Sequence, residues 1–341
     1  MRVLVLRADG PVRVMPAGGA EMSVRPAGDG LRVGGRRVGP IWSTAGEWVS
    51  VNGLRVRGEV SFHREPDAVA VVNRVPLEEY VAGTLGREVY PSWDKEMLKA
   101  QAVVTRTYAL YHAESRSGEI WDVAGDTRSQ VYGGLDAEVP PVVAAAASTR
   151  GQWLAWKNQP ILAAFHSASG GRTASAEEVW GGSLPYLVSV EVENEEDSPD
   201  TYWRTAVSGT RMSRALGPFG VRVGPVREVR VIQRSPSGRA RTVLVRGSRG
   251  ETTIGARVLR EALGAGVIRS TLFETRTTPE GVLIVGSGHG HGVGMSQWGA
   301  QAMAQGGADY REILEVFYPG TRLKTGAPTE RGTRFWRGGR R

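Results

Sequence analysis

In a chain of 341 residues with 46 glycines and 18 prolines, residues 93–115 contain neither. Both residue types interrupt helices, so this run is where a long helix can form and the rest of the chain can pack around it. Leu98, Ala102, Thr105, Ala109 and His112 recur at steps of four and three, which is one helix face. Ala100, Ala102 and Ala109 keep the helix narrow enough for another backbone to come close. The run predicts a long, central, buried helix, with Ser92 after Pro91 as its N-cap.

The flanks have a different texture. Residues 1–75 alternate apolar and polar residues between glycine-rich turns and read as short strands. A short helix follows from Pro76. Beyond the long helix, "PPVVAAAASTRGQWLAW" reads as helix then strand, and "QPILAAFHSASGG" as a strand entering a glycine loop. "VREVRVIQRSPSGRARTVLVRG" and "TLFETRTTPEGVLIVGSG" read as hairpins, "GARVLREALGA" as a helix stopped by glycine, and "ENEEDSPD" at 193–200 as an exposed acidic turn. Helices and hairpins mix without strand–helix alternation, so the expected fold class is α+β. The expected organisation is a β-rich region over 1–75, a main domain over 76–325 and a basic tail over 326–341.

The absence of cysteine excludes disulfides, thiol nucleophiles and thiolate-bound zinc. The net charge of +8 is partly local, because Arg331, Arg334, Arg337, Arg340 and Arg341 sit in the tail with no acidic residue among them. The body has no run of basic residues that would grip nucleic acid, so no nucleic-acid partner is expected. No apolar stretch reaches the ~18 residues of a membrane span. The apolar start is too short for a signal peptide, so an exported protein would draw its leader from outside this sequence.

Several residues could carry chemistry. Glu88 lies in "GREVYPSW", among bulky and mostly apolar neighbours. Loss of solvation raises a carboxyl pKa and makes a general acid. A glutamate at a helix N-terminus, stabilised by the dipole, fits the same residues. Gln101, Thr105 and Tyr108 share a face of the long helix, whereas Arg106 points about 140° away from Gln101 and also reads as a structural anchor. His166 and Ser167 sit at the mouth of a glycine loop, but neighbours on a strand face opposite ways, so a serine hydrolase does not follow. His289 and His291, two apart in "GSGHGHGVGMSQWGA", would point the same way on a strand. With His166 they could form a three-histidine zinc site, although HEXXH spacing is absent and no carboxylate is near in sequence. Gln297 and Trp298 open the next helix, where backbone N–H groups favour polar ligand groups and the indole offers a flat face.

The strings "VPLEEYVAGTLGREVYPSWDKEMLKAQAVVTRTYAL", "DTRSQVYGG", "FHSASGGRT" with "VWGG", "RSPSGR" and "GHGHGVGMSQWGAQAMAQGG…YREILEVFYPGT" occur in the order of the SpoIID/LytB proteins. The chain resembles that family over roughly residues 70–323. The resemblance implies work on the bacterial cell wall. Sporulation members are lytic transglycosylases that cut peptidoglycan strands stripped of stem peptides; others are described as enhancers of a cell-wall amidase. Residues 76–325 would then be the catalytic domain, with Glu88 as general acid/base. Gln101, Arg106, Tyr108, Gln130, His166, Ser167, His289, His291, Gln297 and Trp298 would bind the glycan. The "DT" motif of some members is followed by Cys or His that can hold a metal. Here Asp126-Thr127-Arg128-Ser129-Gln130 has neither, so no metal and no cofactor is expected. The implied location is outside the cytoplasmic membrane, with glycan strands as substrate and an amidase as the alternative partner.

Overall fold

The structure, a computed structural model, describes residues 1–126 and 129–328. The five arginines of the tail, and Thr127 and Arg128 of the "DT" stretch, lie outside the described residues. The described residues divide into two compact units, one of Met1–Ala163 with residues 322–328, the other of Ala164–Thr321. The boundary expected between residues 75 and 76 is not where this division falls. The reason lies in the strand pairing of the first unit.

That unit is built on nine strands: β1 (Arg2–Ala8), β2 (Val12–Pro16), β3 (Met22–Ala27), β4 (Gly30–Val33), β5 (Arg36–Val38), β6 (Ile41–Val51), β7 (Leu54–Arg64), β8 (Val69–Arg74) and β9 (Val123–Ala124). Their order in the sheet is β5-β4-β3-β2-β6-β7-β8-β1-β9. β1 lies between β8, which it pairs antiparallel, and β9, which it pairs parallel. The β-rich start therefore takes a strand from beyond the long helix, and the two cannot be separated. Asn52 and Gly53 link β6 to β7 with φ of 49° and 95°, the positive pair a type I′ hairpin needs. Val12, Val14, Val24, Val49, Val51, Val56 and Val60 alternate into the core.

Helices α1 (Leu77–Glu88), α2 (Lys95–Ser115) and α3 (Pro140–Ser148) complete the first unit, along with a small sheet in which Gln152–Trp156 lies between Gln159–Pro160 and Arg322–Thr325. The long helix is as expected, but its cap is Asp94, which accepts the Glu96 N–H at 2.8 Å. Ser92 is exposed in the preceding turn, closed by Trp93 N–H on the Tyr90 carbonyl. Leu98, Ala102, Thr105 and Ala109 are all buried.

The second unit carries the two expected hairpins, Val226–Arg234 with Ala240–Gly247 and Phe273–Thr278 with Gly281–Gly286. Its core gathers Met212, Leu216, Val229, Val243, Val245, Leu259, Ile268, Phe273 and Ile284. The helix Ala256–Leu263 stops at Gly264 with φ 88°. Two expectations fail here. The strand entering the glycine loop is interrupted over residues 161–164, leaving Phe165–His166 paired in parallel with Met295–Ser296. The acidic turn is not exposed throughout, for Glu195, Ser198 and Asp200 are buried. Among the described residues no helix is long and apolar enough to cross a membrane.

Candidate functional site

Glu88 is the last residue of α1. Two glycines shortly before it, Gly83 and Gly86, decide what comes close. A Cβ at Gly83 would sit 3.1 Å from the Gly134 carbonyl oxygen, and one at Gly86 would sit 2.2 Å from that of Ala137. Only a bare helix surface admits the 131–137 segment at this range, and the Gly133 N–H donates to the Gly83 carbonyl at 2.8 Å. The same approach brings the Val131 N–H onto Glu88 Oε1 at 2.5 Å. Burial pushes the Glu88 pKa from 4.5 up to about 7, and the Val131 N–H offsets part of the rise by favouring the carboxylate. The C-terminal end of a helix also disfavours negative charge. The residue thus ends α1 rather than opening α2, and the dipole acts against its charge.

Polar groups surround this carboxyl. Tyr80, two turns earlier on α1, donates its hydroxyl to Gln130 Oε1 at 2.9 Å. Gln130 is wholly buried, and its Nε2 has no partner among the described residues. Tyr108 is partly buried on α2, which raises its phenol pKa; a hydrogen bond with Ser129 opposes the rise, and the charge of Glu88 adds to it. Its ring lies 4.3 Å from that of His112. Burial holds His112 down to about 4, so it is neutral at pH 7. The result is a desolvated carboxyl able to keep or release a proton near neutrality, within electrostatic reach of the Tyr80 and Tyr108 phenols.

Two expected glycan-binding residues of the first unit are placed differently. Arg106 is completely buried and uses all five N–H groups inside the fold. Nε and Nη2 clasp Glu78 at 2.9 and 2.6 Å, and the rest reach the carbonyls of Ala102, Ala146 and Gln152. It is the anchor that ties α1, α2 and α3 together, with no N–H left for a substrate. Gln101 is also wholly buried and turns its Nε2 toward Thr105 at 3.5 Å.

The remaining expected residues belong to the second unit. His289 and His291 do not share a strand. Gly288, Gly290, Gly292 and Gly294 all have positive φ, and the resulting loop sends the two rings to different partners. At Gly294 a Cβ would fall 1.9 Å from the Ala164 carbonyl oxygen. His289 places Nδ1 3.0 Å from Asp200 Oδ2, and Asp200 also pairs with Arg269. His291 accepts the Val293 N–H on Nδ1 at 3.0 Å, and its ring lies 5.4 Å from Trp180 and 5.7 Å from His166. Burial holds His291 near 4 and His166 well below 6.5. Among the described residues no three His, Asp or Glu side chains are grouped so as to hold a metal ion. The opening turn of the helix Gln297–Gln305 is already engaged: Trp298 N–H donates to the Ser167 carbonyl at 3.0 Å and Gly299 N–H to Ser296 Oγ.

Glu195 escaped sequence reasoning. Its carboxylate accepts the N–H groups of Ser169 and Gly170 at 2.8 and 2.7 Å, the Ser169 hydroxyl, and Ser296 Oγ. It fixes the "SASGG" loop on the strand that leads into the helix at Gln297. The only signal available was an acidic run, which more often marks a solvated surface.

Comparison with known proteins adds a lineage. Residues 65–156 match the family model described as stage II sporulation protein, SpoIID. Residues 182–294 match a model described as a domain of unknown function. A Brachyspira hyodysenteriae protein described as uncharacterized is 34% identical over 291 residues, covering 84% of this chain and 77% of that one. Stage II sporulation protein D of Bacillus subtilis is 30% identical over 268 residues, covering 74% of this chain and 75% of the relative. The amidase enhancer of Bacillus subtilis is 29% identical over 286 residues, covering 71% of this chain and 40% of that protein.

Proposed function

The chain belongs to the stage II sporulation protein D family, and on that premise we propose that it is a lytic transglycosylase of peptidoglycan, acting outside the cytoplasmic membrane on glycan strands that lack stem peptides. The observation that carries the reading is the Glu88 carboxyl, poised at about 7 by burial, with the Val131 N–H on it. A hydrolytic glycosidase uses two carboxyls, one to protonate the leaving oxygen and one to act as base or nucleophile. No second carboxylate among the described residues contributes to the shift at Glu88. One suffices if the attacking group is already on the substrate.

In this mechanism Glu88 starts protonated and gives its proton to the glycosidic oxygen as the bond to C1 of N-acetylmuramic acid breaks. The carboxylate then takes the proton of that sugar's own 6-hydroxyl, whose oxygen closes on C1. The products are a free 4-hydroxyl end and a 1,6-anhydro end, and no water is consumed. Because the nucleophile is tethered, little entropy of approach is lost. A pKa near 7 suits a group that must be acid and base in one turnover.

Mass spectrometry of glycan strands tests this. Intact and amidase-denuded peptidoglycan would be incubated with wild type and Glu88→Gln. The expected result is fragments one water lighter than hydrolysis products, from denuded strands and wild type only. The amidase-enhancer relative favours a second reading, a non-catalytic wall-binding activator of an N-acetylmuramoyl-L-alanine amidase. Absence of fragments from both substrates, with stimulation of an added amidase, would select that reading.

A further inference from the structure

The Val131 N–H draws the Glu88 carboxyl toward its charged form, and the chain on each side of Val131 is pinned by a buried tyrosine. Before it, Gln130 accepts the Tyr80 hydroxyl on Oε1 at 2.9 Å, and both residues are fully buried. After it, Tyr132 donates its hydroxyl to Asn73 Oδ1 at 3.0 Å. Asn73 is fully buried on β8, and its Nδ2 donates to the carbonyls of Arg57 and Glu59 on β7 at 2.7 and 3.0 Å. Val131 is thus held from α1 on one side and from the nine-stranded sheet on the other.

The two pins are joined. The rings of Tyr80 and Tyr132 stack with centroids 5.5 Å apart and 25° between their planes. The Tyr132 ring covers α1 at Gly83, where a Cβ would fall 2.9 Å from it. The Tyr132 N–H donates to the Gly125 carbonyl at 3.1 Å. Burial pushes both phenols well above 10, so neither is charged where Glu88 titrates. The Tyr108 phenol on α2, also in electrostatic reach of Glu88, is raised by burial as well. Loss of a Tyr80 or Tyr132 hydroxyl therefore changes geometry and leaves the charges around Glu88 as they were. Geometry matters here because a hydrogen bond weakens steeply as its angle closes, and a bond to a carboxylate favours the charged form.

We propose that Tyr80 and Tyr132 are positioning residues for Glu88: they hold residues 130–132 so that the Val131 N–H stays on Oε1, and so set how strongly the carboxyl keeps its proton. Tyr80 acts through Gln130, and Tyr132 through Asn73. Without the pins, desolvation would act on the carboxyl unopposed by this N–H, and the group would be slower to release its proton as a base. The consequence for cleavage rests on the acid/base reading above; the hold on Glu88 does not.

The test compares the full chain as wild type, Tyr80→Phe, Tyr132→Phe, Gln130→Met and the double variant Tyr80→Phe with Gln130→Met. A carbon NMR titration follows the Glu88 carboxyl, identified by its loss in Glu88→Gln, and the Val131 amide is followed in the same samples. Each single change should raise the Glu88 pKa by about one unit, a tenfold fall in its acid dissociation constant, and should move the Val131 amide proton upfield. The double variant should shift no further than either of its single changes, because both break one link. The alkaline limb of the cleavage pH profile should move up by the same increment. Tyrosines that only fill the core would lower stability in urea and leave the Glu88 pKa of the folded protein unmoved, and that result would overturn the proposal. Additive shifts in the double variant would overturn the route through Gln130. Should Tyr80→Phe not fold, Tyr132→Phe decides by the same two signals. A shifted Glu88 pKa with no anhydro fragments from wild type would sink the catalytic reading alone. Fragments together with an unmoved pKa would sink the positioning role alone.

Discussion

Replacing Glu88 by Gln should abolish strand cleavage and at the same time strengthen the fold above neutral pH. The carboxyl titrates at about 7 in the folded protein against an ordinary value of 4.5. Below pH 4.5 it is protonated in folded and unfolded chains alike and has no effect. Between 4.5 and 7 the unfolded chain releases its proton while the folded one keeps it, so stability falls as pH rises. Above pH 7 the whole cost is present. At about 1.36 kcal/mol per pKa unit it reaches about 3 kcal/mol. Glutamine is nearly isosteric, stays neutral and keeps an acceptor for the Val131 N–H. The variant and wild type should therefore be about equally stable near pH 4, and the variant should lead by about 3 kcal/mol near pH 8. Urea unfolding of both proteins at those two pH values measures the gap, and a carbon NMR titration of the Glu88 carboxyl measures its pKa directly. A gap that stays flat with pH, or that opens in favour of wild type, would refute the desolvated carboxyl and with it the proposed acid.

Two further outcomes follow from the same geometry. Arg106→Met should destabilise the protein by about 3–5 kcal/mol in denaturant unfolding, because Glu78 and the carbonyls of Ala146 and Gln152 lose their donors together. His291, held near 4 against 6.5, favours its neutral form on folding. Its contribution is intact above pH 6.5 and is lost as pH falls toward 4, by about 3 kcal/mol in total. Calorimetry across that range should show the loss, and His291→Gln should flatten it.

What could be read from the sequence was local. The run over 93–115 gave the long helix because nothing in it breaks one, and the Ser-Pro-Ser-Gly and Pro-Glu-Gly turns gave their hairpins. Glu88 stood out because its apolar neighbours are adjacent in sequence. The misses were set by distant partners. Asp94 rather than Ser92 caps α2, because the turn from Tyr90 to Trp93 consumes one more step of chain before the helix begins. Glu195 and Asp200 are buried because the Ser169 loop and the His289–Arg269 pair reach them from 26 to 89 residues away. Arg106 reads in sequence equally as anchor and as ligand, and only the position of Glu78 on α1, with the carbonyls beyond α2, decides for the anchor. His289 makes an isolated antiparallel bridge with Ala168, but His291 does not continue it, since Gly290 between them has a φ of 108°.

The small sheet of the first unit is closed by Arg322–Thr325, whose partner strand Gln152–Trp156 lies on the far side of the whole second unit in sequence. During biosynthesis the two strands leave the ribosome far apart in time. Until Arg322 emerges, Trp153 and Leu154 sit on a strand with one open edge, the kind of surface on which chains pair wrongly. Loop closure over so long an insert adds little entropy cost, because that cost grows only with the logarithm of length. The delay is therefore a matter of synthesis time, and the rate of translation through the inserted unit sets the period in which the nascent protein is vulnerable.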